Sequence, residues 1–486
     1  MGIVYITTRI EGSMSTDNEK DIKVKFYDSK QKKVVDFEPR DPGKVSIYQC
    51  GPTVYDDPHL GHGRTAFTYD LMRRFFRYIG YEVTLARNIT DIEDKIIAKA
   101  ANENVEESVI TQRYEQSYLD QLDSLGIERP EFDPHATEYV PQMVELIERL
   151  IENGMAYETS TSIYFSISDF KEYGSLSSRT LEDLLESAGS RVDIDDEKKS
   201  PLDFALWKKA KPGEPSWESP WGDGRPGWHI ECSAMSVGIL GQGFDIHGGG
   251  TDLIFPHHEN EIALSCSAGD VFSKYWVHSA MLNIDGEKMS KSLNNFITLK
   301  DAIDQHGPRA LRLLMVQTHY RAQIEVSDES LGAASAAMDR LDSFHRRFNR
   351  ELDTDNRTEV DELIRNRFID QMSNDFGAPG ALALVFDALR EANICLDEKD
   401  NERAKVLYLT IVELMSILGI DLAETNSNES DVDSAKVEEL IFQRKVAREE
   451  KDFARADEIR DELSSLGITI EDGPKGTTWH VETKTK

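Results

Sequence analysis

Cysteine is scarce in this sequence, and long apolar runs are absent. The 486 residues include four widely spaced cysteines with no sign of a disulfide framework: Cys50, Cys232, Cys266 and Cys395. So few cysteines in a chain of this size are typical of a reducing compartment, so we expect a cytoplasmic protein. No hydrophobic stretch approaches the length of a bilayer span, which predicts no transmembrane helix and no membrane partner. The mildly apolar residues 1–10 are too short for a signal peptide.

Net positive charge is also missing. Asp and Glu number 89 against 56 Lys and Arg, which gives a formal net charge of −33. Such an excess destabilises a compact fold through self-repulsion unless salt screens it. We therefore predict a halophilic archaeal source, with folding and activity that need molar potassium chloride. The competing interpretation is an acidic protein that never contacts nucleic acid, because phosphate binding usually requires a basic surface.

Two short motifs carry the most chemical information. The HLGH motif, His59 to His62, follows a strand-like run at 45–48 and precedes a helical pattern at 65–78. In this strand–turn–helix context, free N–H groups and the positive end of a helix dipole attract phosphate. The KMSKS motif, Lys288 to Ser292, places two lysines on a loop. Each motif alone is more often a solvated turn or an exposed loop, but the pair in this order predicts a nucleotide site.

A third pattern indicates a metal site. Cys50 ends the first strand of the α/β region, and Cys232 lies in the segment Gly-Trp-His-Ile-Glu-Cys-Ser. His257 and Glu261 are spaced so that both lie on one face if their segment is helical. Two thiolates, an imidazole and a carboxylate suit zinc. His258 fits the spacing to Glu261 equally well, and a buried structural role for these residues is the simpler alternative.

Longer stretches resemble the cysteinyl-tRNA synthetase family, a monomeric, zinc-containing branch of the class I aminoacyl-tRNA synthetases. The HLGH and KMSKS motifs are similar to the two signature motifs of class I. The likeness to the cysteine-specific branch rests on Cys-Gly-Pro-Thr-Val-Tyr-Asp from Cys50, Asn-Ile-Thr-Asp-Ile-Glu-Asp-Lys from Asn88, Asp-Ile-His-Gly-Gly-Gly from Asp245, Phe-Pro-His-His-Glu-Asn-Glu from Phe255 and Gly-Thr-Thr-Trp from Gly476. The resemblance extends from about residue 22 to the end of the chain.

The resemblance implies a cysteine–tRNA ligase. Such an enzyme activates L-cysteine with ATP to cysteinyl-adenylate and transfers the cysteinyl group to the 3′ adenosine of tRNA(Cys), its macromolecular partner. It also implies one zinc ion per subunit, Mg²⁺ accompanying ATP, and a monomer. The positions that match the family's zinc ligands are Cys50, Cys232, His257 and Glu261, which favours His257 over His258.

The same resemblance assigns roles at the two motifs. His59 and His62 should stabilise the triphosphate, while Gly61 should let adenine stack close to the backbone. Lys288 and Lys291 should close on the pyrophosphate as negative charge develops. The expected catalytic residues are thus His59, His62, Lys288 and Lys291, with Gly61, His62 and Lys291 binding ATP.

Zinc would also explain how cysteine is selected. Cysteine and serine are nearly isosteric, and a plain pocket rejects isosteres poorly. Zinc binds thiolate far better than hydroxyl, so a metal–sulfur bond would supply specificity without an editing site. Trp228 and His247 are candidates for lining the cysteine pocket, and buried aromatic packing is an equal alternative for both.

The rhythm of strand-like and helical segments predicts an α/β class I fold. We expect a Rossmann-like parallel sheet with an inserted connective domain, then an α-helical bundle and a small C-terminal anticodon-binding domain. Gly248–Gly250 should let the backbone approach a ligand. The predicted boundaries are an N-terminal extension 1–21 that starts at Met1 or Met14, the Rossmann-like halves 22–120 and 226–300, the insertion 121–225, a stem-contact region 301–330, the helical bundle 331–423, a linker 424–434 and the C-terminal unit 435–486.

The C-terminal unit is predicted to contain one long charged helix, 437–463. It carries basic residues that could contact tRNA, or form ion pairs within a solvated helix: Arg444, Lys445, Arg448, Lys451 and Arg455. Trp479 could stack on an anticodon base or cap a small core.

Three rivals remain. A paralogous ligase that joins cysteine to an amino sugar would share the motifs and the zinc site, but should lack the C-terminal unit. A catalytically silent tRNA-binding protein would not need intact His59, His62, Lys288 and Lys291. A generic nucleotidyltransferase would have no reason for the four-residue metal set.

Overall fold

The computed structural model describes residues 22–188, 197–284, 287–288, 297–354, 358–422, 434–466, 468–473 and 476–481. The predicted extension 1–21, almost all of the predicted linker, and Met289 to Ser292 of the KMSKS motif lie outside the described residues. None of the helices in the described ranges combines the length and apolar character that a bilayer span requires.

Strands and helices alternate in the first half of the chain, and helices dominate the second. The strands are β1 Lys25–Asp28, β2 Lys33–Asp36, β3 Lys44–Gln49, β4 Glu82–Arg87, β5 Ala156–Glu158, β6 Ser162–Phe165, β7 Phe204–Lys209, β8 Gly224–Pro226, β9 Ile246–Gly250, β10 Tyr275–Ser279, β11 Leu282–Ile284, β12 Glu287–Lys288, β13 Ile324–Val326, β14 Ile468–Gly473 and β15 Gly476–Val481. The helices are α1 Leu60–Tyr78, α2 Asp94–Glu103, α3 Glu107–Ser124, α4 Val140–Glu152, α5 Leu181–Ala188, α6 Trp228–Leu240, α7 Glu259–Ser267, α8 Leu299–His306, α9 Pro308–Gln317, α10 Asp328–Glu351, α11 Glu362–Ser373, α12 Ala378–Glu398, α13 Asn401–Ile417, α14 Ser434–Glu449 and α15 Phe453–Ser465.

The central sheet is parallel and buried on both faces. Its strand order is β10-β9-β3-β4, with α1 connecting β3 to β4. Val45 and Ile47 of β3 belong to the core that contains α1, whereas Tyr48 belongs to the core that contains α6. Val45, Ile47 and Tyr48 supply apolar side chains to the two faces of β3, and the buried Ser46 hydroxyl donates to the Asp245 carboxylate over 2.8 Å. The predicted α/β fold with a parallel sheet is confirmed.

The insertion between β4 and β9 contains its own antiparallel sheet, in the order β5-β6-β7-β8. Helix α4 packs Met143, Leu146 and Leu150 into the same core as Ile163 and Phe165 of β6. The insertion therefore has an apolar interior that is continuous with one face of the central sheet.

The helical bundle is joined to α1 by a buried ion pair. Arg312 of α9 donates to the Asp70 carboxylate on α1, and both side chains are almost fully buried. Nε of Arg312 also donates to the carbonyl of Leu418, at the end of α13, over 2.9 Å. Removing one member of a buried pair costs about 3–5 kcal/mol, so this contact fixes α1 firmly against the bundle.

The C-terminal unit corrects one prediction. The expected single helix 437–463 is two helices, α14 and α15, that pack on each other and on the hairpin β14–β15. Lys451 has a left-handed backbone, φ 64°, and the Asp452 side chain accepts a hydrogen bond from the Arg455 N–H at the start of α15. The apolar pattern continues across this break, so the periodicity of the sequence does not reveal that the helix ends. Trp479 packs against the small core of this unit.

Candidate metal centre and adenylate site

The candidate metal donors meet at the carboxyl edge of the central sheet. Cys50 follows directly after β3, and its N–H donates to the carbonyl of Gly248 in β9 over 2.9 Å. Cys232 lies in the second turn of α6, while His257 and Glu261 lie on either side of the start of α7. Open parallel sheets bind ligands at this edge.

The four predicted zinc ligands lie together. One donor atom each from Cys50, Cys232, His257 and Glu261 fall within 4.8 Å of one another, and all four residues are buried. Nε2 of His257 is 3.1 Å from Oε1 of Glu261, and Sγ of Cys50 is 3.6 Å from the same oxygen. The geometry therefore allows all four residues to hold one ion.

A second donor set shares part of the first. Cys50 and Glu261 also lie within 4.8 Å of donor atoms of His247 and His258. Nε2 of His247 is 3.6 Å from Sγ of Cys50 and 3.1 Å from Oε2 of Glu261. Nε2 of His258 is 3.3 Å from the same sulfur. His247, which we expected in the cysteine pocket, thus lies against the donors themselves.

Further side chains hold the imidazoles in orientation. Nδ1 of His257 is 3.0 Å from Nδ1 of His229, and Nδ1 of His258 is 2.8 Å from Nε2 of His278. Both rings therefore direct Nε2 towards the donors. Outer partners of this type fix the tautomer of a metal-binding histidine. His278 comes from β10, and no sequence spacing indicates its contact with His258. His229 is next to Trp228 in the sequence, and that position is the signal that could have identified it.

Trp228 closes the outer side of the cluster. Its ring stacks on His257, with 4.2 Å between the centroids, and the side chain remains 37% exposed. A partly exposed indole beside the donors is placed to contact a molecule that enters the cluster.

Burial favours the neutral forms of the two thiols and of His257 and His258 through their pKa values. It raises the pKa of the Cys50 thiol well above its usual value, and Cys232 and Glu261 raise it further. The hydrogen bond with Cys50 lowers the pKa of the Cys232 thiol, but burial and Glu261 outweigh it, so that pKa also rises. Burial lowers the pKa values of His257 and His258 well below the usual value. A divalent cation would displace the thiol protons, and two sulfurs, a nitrogen and an oxygen fit zinc.

The HLGH motif forms the turn into α1. His59 is the N-cap residue, and Gly61 lies in the first turn of the helix. The rings of His59 and His62 stack with 3.7 Å between centroids, and Nδ1 of His62 accepts a hydrogen bond from the His59 N–H over 3.2 Å. The helix N-terminus and two half-buried imidazoles therefore face the same edge of the sheet as the metal donors.

The described residues on the two sides of the KMSKS motif are held in different ways. At one end, the backbone of Lys288 in β12 pairs with Asn283 of β11. At the other, Thr298 forms an isolated bridge with His59, and Leu299 N–H donates to Pro58 carbonyl over 2.8 Å. Lys291 lies outside the described residues, and only the backbone of Lys288 is described. The chain from Ile297 to Leu299, which follows the motif, therefore lies against the HLGH turn.

Contacts within the protein account for the first glycine of the triplet. Gly248–Gly250 lie inside β9. A Cβ on Gly248 would be 1.9 Å from the carbonyl oxygen of Val277 and 2.0 Å from the Tyr69 hydroxyl. The backbone of Gly248 is approached closely by other parts of the protein, because β9 lies between β10 and α1.

Family comparisons agree with this architecture. Residues 36–336 match the catalytic domain of class I (C) tRNA synthetases, residues 367–423 match the DALR domain, and residues 433–479 match the cysteinyl-tRNA ligase anticodon binding domain.

Proteins with high sequence identity to this chain are cysteine–tRNA ligases. A cysteine–tRNA ligase of Brevibacillus brevis is 44% identical over 456 residues, covering 91% of this chain and 96% of the relative. A cysteine–tRNA ligase of Vibrio cholerae is 46% identical over 464 residues, covering 94% of this chain and 99% of the relative.

Solved structures show the same fold at low identity. Methionyl-tRNA synthetase of Mycobacterium tuberculosis bound by methionyl-adenylate has a TM-score of 0.59 at 17% identity, covering 77% of this chain and 90% of that one. LeuRS agnB2 of Agrobacterium radiobacter K84, in a ternary complex with tRNA and LeuAMS, has a TM-score of 0.61 at 11% identity, covering 79% and 84%. On sequence and domain content, the chain belongs to the cysteine–tRNA ligase family of class I aminoacyl-tRNA synthetases.

Proposed function

We propose that the protein activates L-cysteine with ATP and transfers the cysteinyl group to the 3′ adenosine of tRNA(Cys). One observation carries the proposal: the metal donors and the HLGH motif lie at the same edge of one sheet, on the two sides of the turn that follows β3. One cysteine molecule would therefore reach the metal donors with its sulfur and the phosphate-binding HLGH motif with its carboxylate. Membership of the cysteine–tRNA ligase family supports the same reaction.

We further propose that Cys50, Cys232, His257 and Glu261 hold a zinc ion. The ion would supply a soft site for the thiolate of cysteine, which serine cannot match. Trp228 and His247 would line the cysteine pocket, Trp228 as its exposed wall and His247 through its contacts with Cys50 and Glu261. His247 would then restrict the space beside the ion.

Activation needs positioning and charge stabilisation rather than a dedicated base. The carboxylate of cysteine attacks the α-phosphate of ATP, and pyrophosphate leaves. His59 and His62 would bind the triphosphate at the N-terminus of α1, where the helix dipole adds favourable charge. Gly61 would leave room for adenine, and Lys288 and Lys291 would neutralise the pyrophosphate as it leaves, with Mg²⁺ bound to ATP.

The C-terminal unit offers a basic surface for tRNA. A cavity of about 250 Å³ is lined by Arg444, Lys445, Arg448 and Thr477, between α14 and β15. We propose that this cavity binds anticodon nucleotides of tRNA(Cys). The match of residues 433–479 to an anticodon binding domain supports it, and disfavours the amino-sugar ligase.

The remaining assignments follow from this function. We propose that 22–120 and 226–300 form the catalytic domain, 121–225 the connective insertion, 301–330 the stem-contact region and 331–423 the bundle, ahead of the anticodon-binding unit. We propose a cytoplasmic monomer. The net charge of −33 supports a requirement for molar salt.

Aminoacylation with cysteine and with serine tests the proposal. The enzyme is assayed with tRNA(Cys), metal-replete and after chelation, in molar potassium chloride and in dilute buffer. We expect charging with cysteine alone, loss of charging on chelation, recovery with zinc, and lower activity and thermal stability in dilute buffer. Adenylate formation without transfer to tRNA would contradict the ligase function. Full activity after complete metal removal would contradict the zinc proposal, and equal stability in both salts would contradict the salt requirement.

A further inference from the structure

A buried arginine lies at the carboxyl edge of the sheet, close to the HLGH motif. Arg87 is the last residue of β4, and its register partner on β3 is Gln49. The side chains of Arg87 and Gln49 are 2% and 1% exposed. Side chains alternate across a strand, so both lie on the face that Ile47 and Leu85 share with α1.

Three polar atoms of these two side chains have no partner among the described residues. Nη1 and Nη2 of Arg87 and Oε1 of Gln49 are enclosed, and none of them has a hydrogen-bond partner among the residues that the structure describes. Arg312 is equally buried but has the Asp70 carboxylate and the Leu418 carbonyl. Burying a guanidinium without an acid costs free energy, and this chain has acids in excess. Arg87 therefore does not serve stability in the way that Arg312 does.

One aromatic ring connects Arg87 to the HLGH motif. The guanidinium carbon of Arg87 lies 5.7 Å from the ring centroid of Tyr118, on α3. The same ring meets His62 edge-on at 6.4 Å between centroids, and His62 stacks on His59. The charge of Arg87 thus lies one ring away from the imidazole that faces the phosphates.

We propose that Arg87 is a positioning residue for the activation step. It holds Tyr118, and through it His62, while its buried positive charge favours the negative charge that develops on the phosphates. The inference rests on the proposed function. Because Arg87 is buried, molar salt screens its effect far less than that of a surface arginine.

Two substitutions separate the effect of the Arg87 charge from the effect of its shape. Arg87→Met removes the charge and keeps the length of the side chain, whereas Arg87→Lys keeps the charge. Arg129→Met is the matched control, because Arg129 also acts on Tyr118 but is 41% exposed and paired with Asp123. Each variant is assayed by ATP–pyrophosphate exchange in moderate and molar potassium chloride, with zinc content and thermal unfolding measured in parallel.

We expect Arg87→Met to lower kcat for exchange about tenfold or more in both salts, with an unchanged KM for cysteine and unchanged zinc content. Arg87→Lys should recover most of kcat, and Arg129→Met should match the parent. Tyr118→Leu should lower kcat as Arg87→Met does, and it serves as the second variant if Arg87→Met does not fold.

Three outcomes would overturn the inference. They are parental kcat in Arg87→Met, equal losses in Arg87→Met and Arg87→Lys, and, where Arg87→Met does not fold, parental kcat in Tyr118→Leu. An inactive parent enzyme would instead contradict the proposed function, so the two failures are distinguishable.

Discussion

The two halves of the candidate site differ in how completely the folded chain builds them. The metal donors are fully enclosed, with Glu261 at 0% and Cys232 at 1% exposure. The HLGH histidines, by contrast, are only half-buried. Both halves start from the same strand, since Cys50 and His59 flank one turn.

This difference matches the two tasks. Selecting sulfur over oxygen requires donors in fixed positions before substrate arrives, because the pocket must reject a near-isostere. Stabilising pyrophosphate requires positive charge where ATP enters and pyrophosphate leaves, which partly exposed side chains can supply. The comparison predicts that changes at the donors alter which amino acid is used, whereas changes at the HLGH and KMSKS motifs alter the rate of activation.

The largest effect should come from Cys232→Ser. Loss of a metal ligand should remove zinc and most of the activity with cysteine. In the residual activity, discrimination against serine should fall from about 10⁴-fold towards about 10²-fold, since only shape then separates the two amino acids. Metal analysis and exchange assays with cysteine and serine measure this. Cys266→Ser, an exposed cysteine outside the cluster, is the control. Full zinc content in Cys232→Ser would remove it from the ligand set.

Lys291→Ala tests the other half. We expect kcat for pyrophosphate exchange to fall about 10²- to 10³-fold, as for loss of one group that stabilises developing charge. Zinc content and the ratio of the exchange rates with cysteine and with serine should stay unchanged, because the metal donors are intact. Lys300→Ala, an exposed lysine on α8, should behave like the parent. An unaltered exchange rate in Lys291→Ala would contradict its role.

His257→Gln and His258→Gln decide between the two donor sets. If His257 is the ligand, its substitution should weaken zinc binding more than 100-fold, whereas loss of His258 should cost about tenfold, as for a residue that supports a site. Competition with a chelator measures both. His345→Gln, in the bundle beside Tyr408, is the control. The reverse order would assign the site to Cys50, His247, His258 and Glu261.

The smallest effect should come from Arg448→Ala at the C-terminal cavity. Loss of one phosphate or base contact should raise KM for tRNA about threefold to tenfold and reduce its dependence on salt concentration. Pyrophosphate exchange should not change, because that step needs no tRNA. Arg460→Ala, on the exposed side of α15, is the control. A parental KM for tRNA would leave the cavity without a role in tRNA binding.

Much of the fold follows from local pattern. The strand around 45–48 and the helix after His59 are visible in the sequence, because apolar runs and the HLGH turn are local signals. The helix break at Lys451 is not, since its cause is one left-handed residue followed by an N-cap. The crowding at Gly248 is not visible either, because it comes from β10 and α1, which are distant in sequence.

The sequence by itself determined the chemistry, whereas the tertiary structure decided the geometry. The donor types and the two motifs are properties of short segments, so their identity is readable without a fold. Which imidazoles meet Cys50, how His229 and His278 orient them, and where Arg87 is buried all depend on contacts between distant elements. Packing creates such contacts, and no local spacing encodes them.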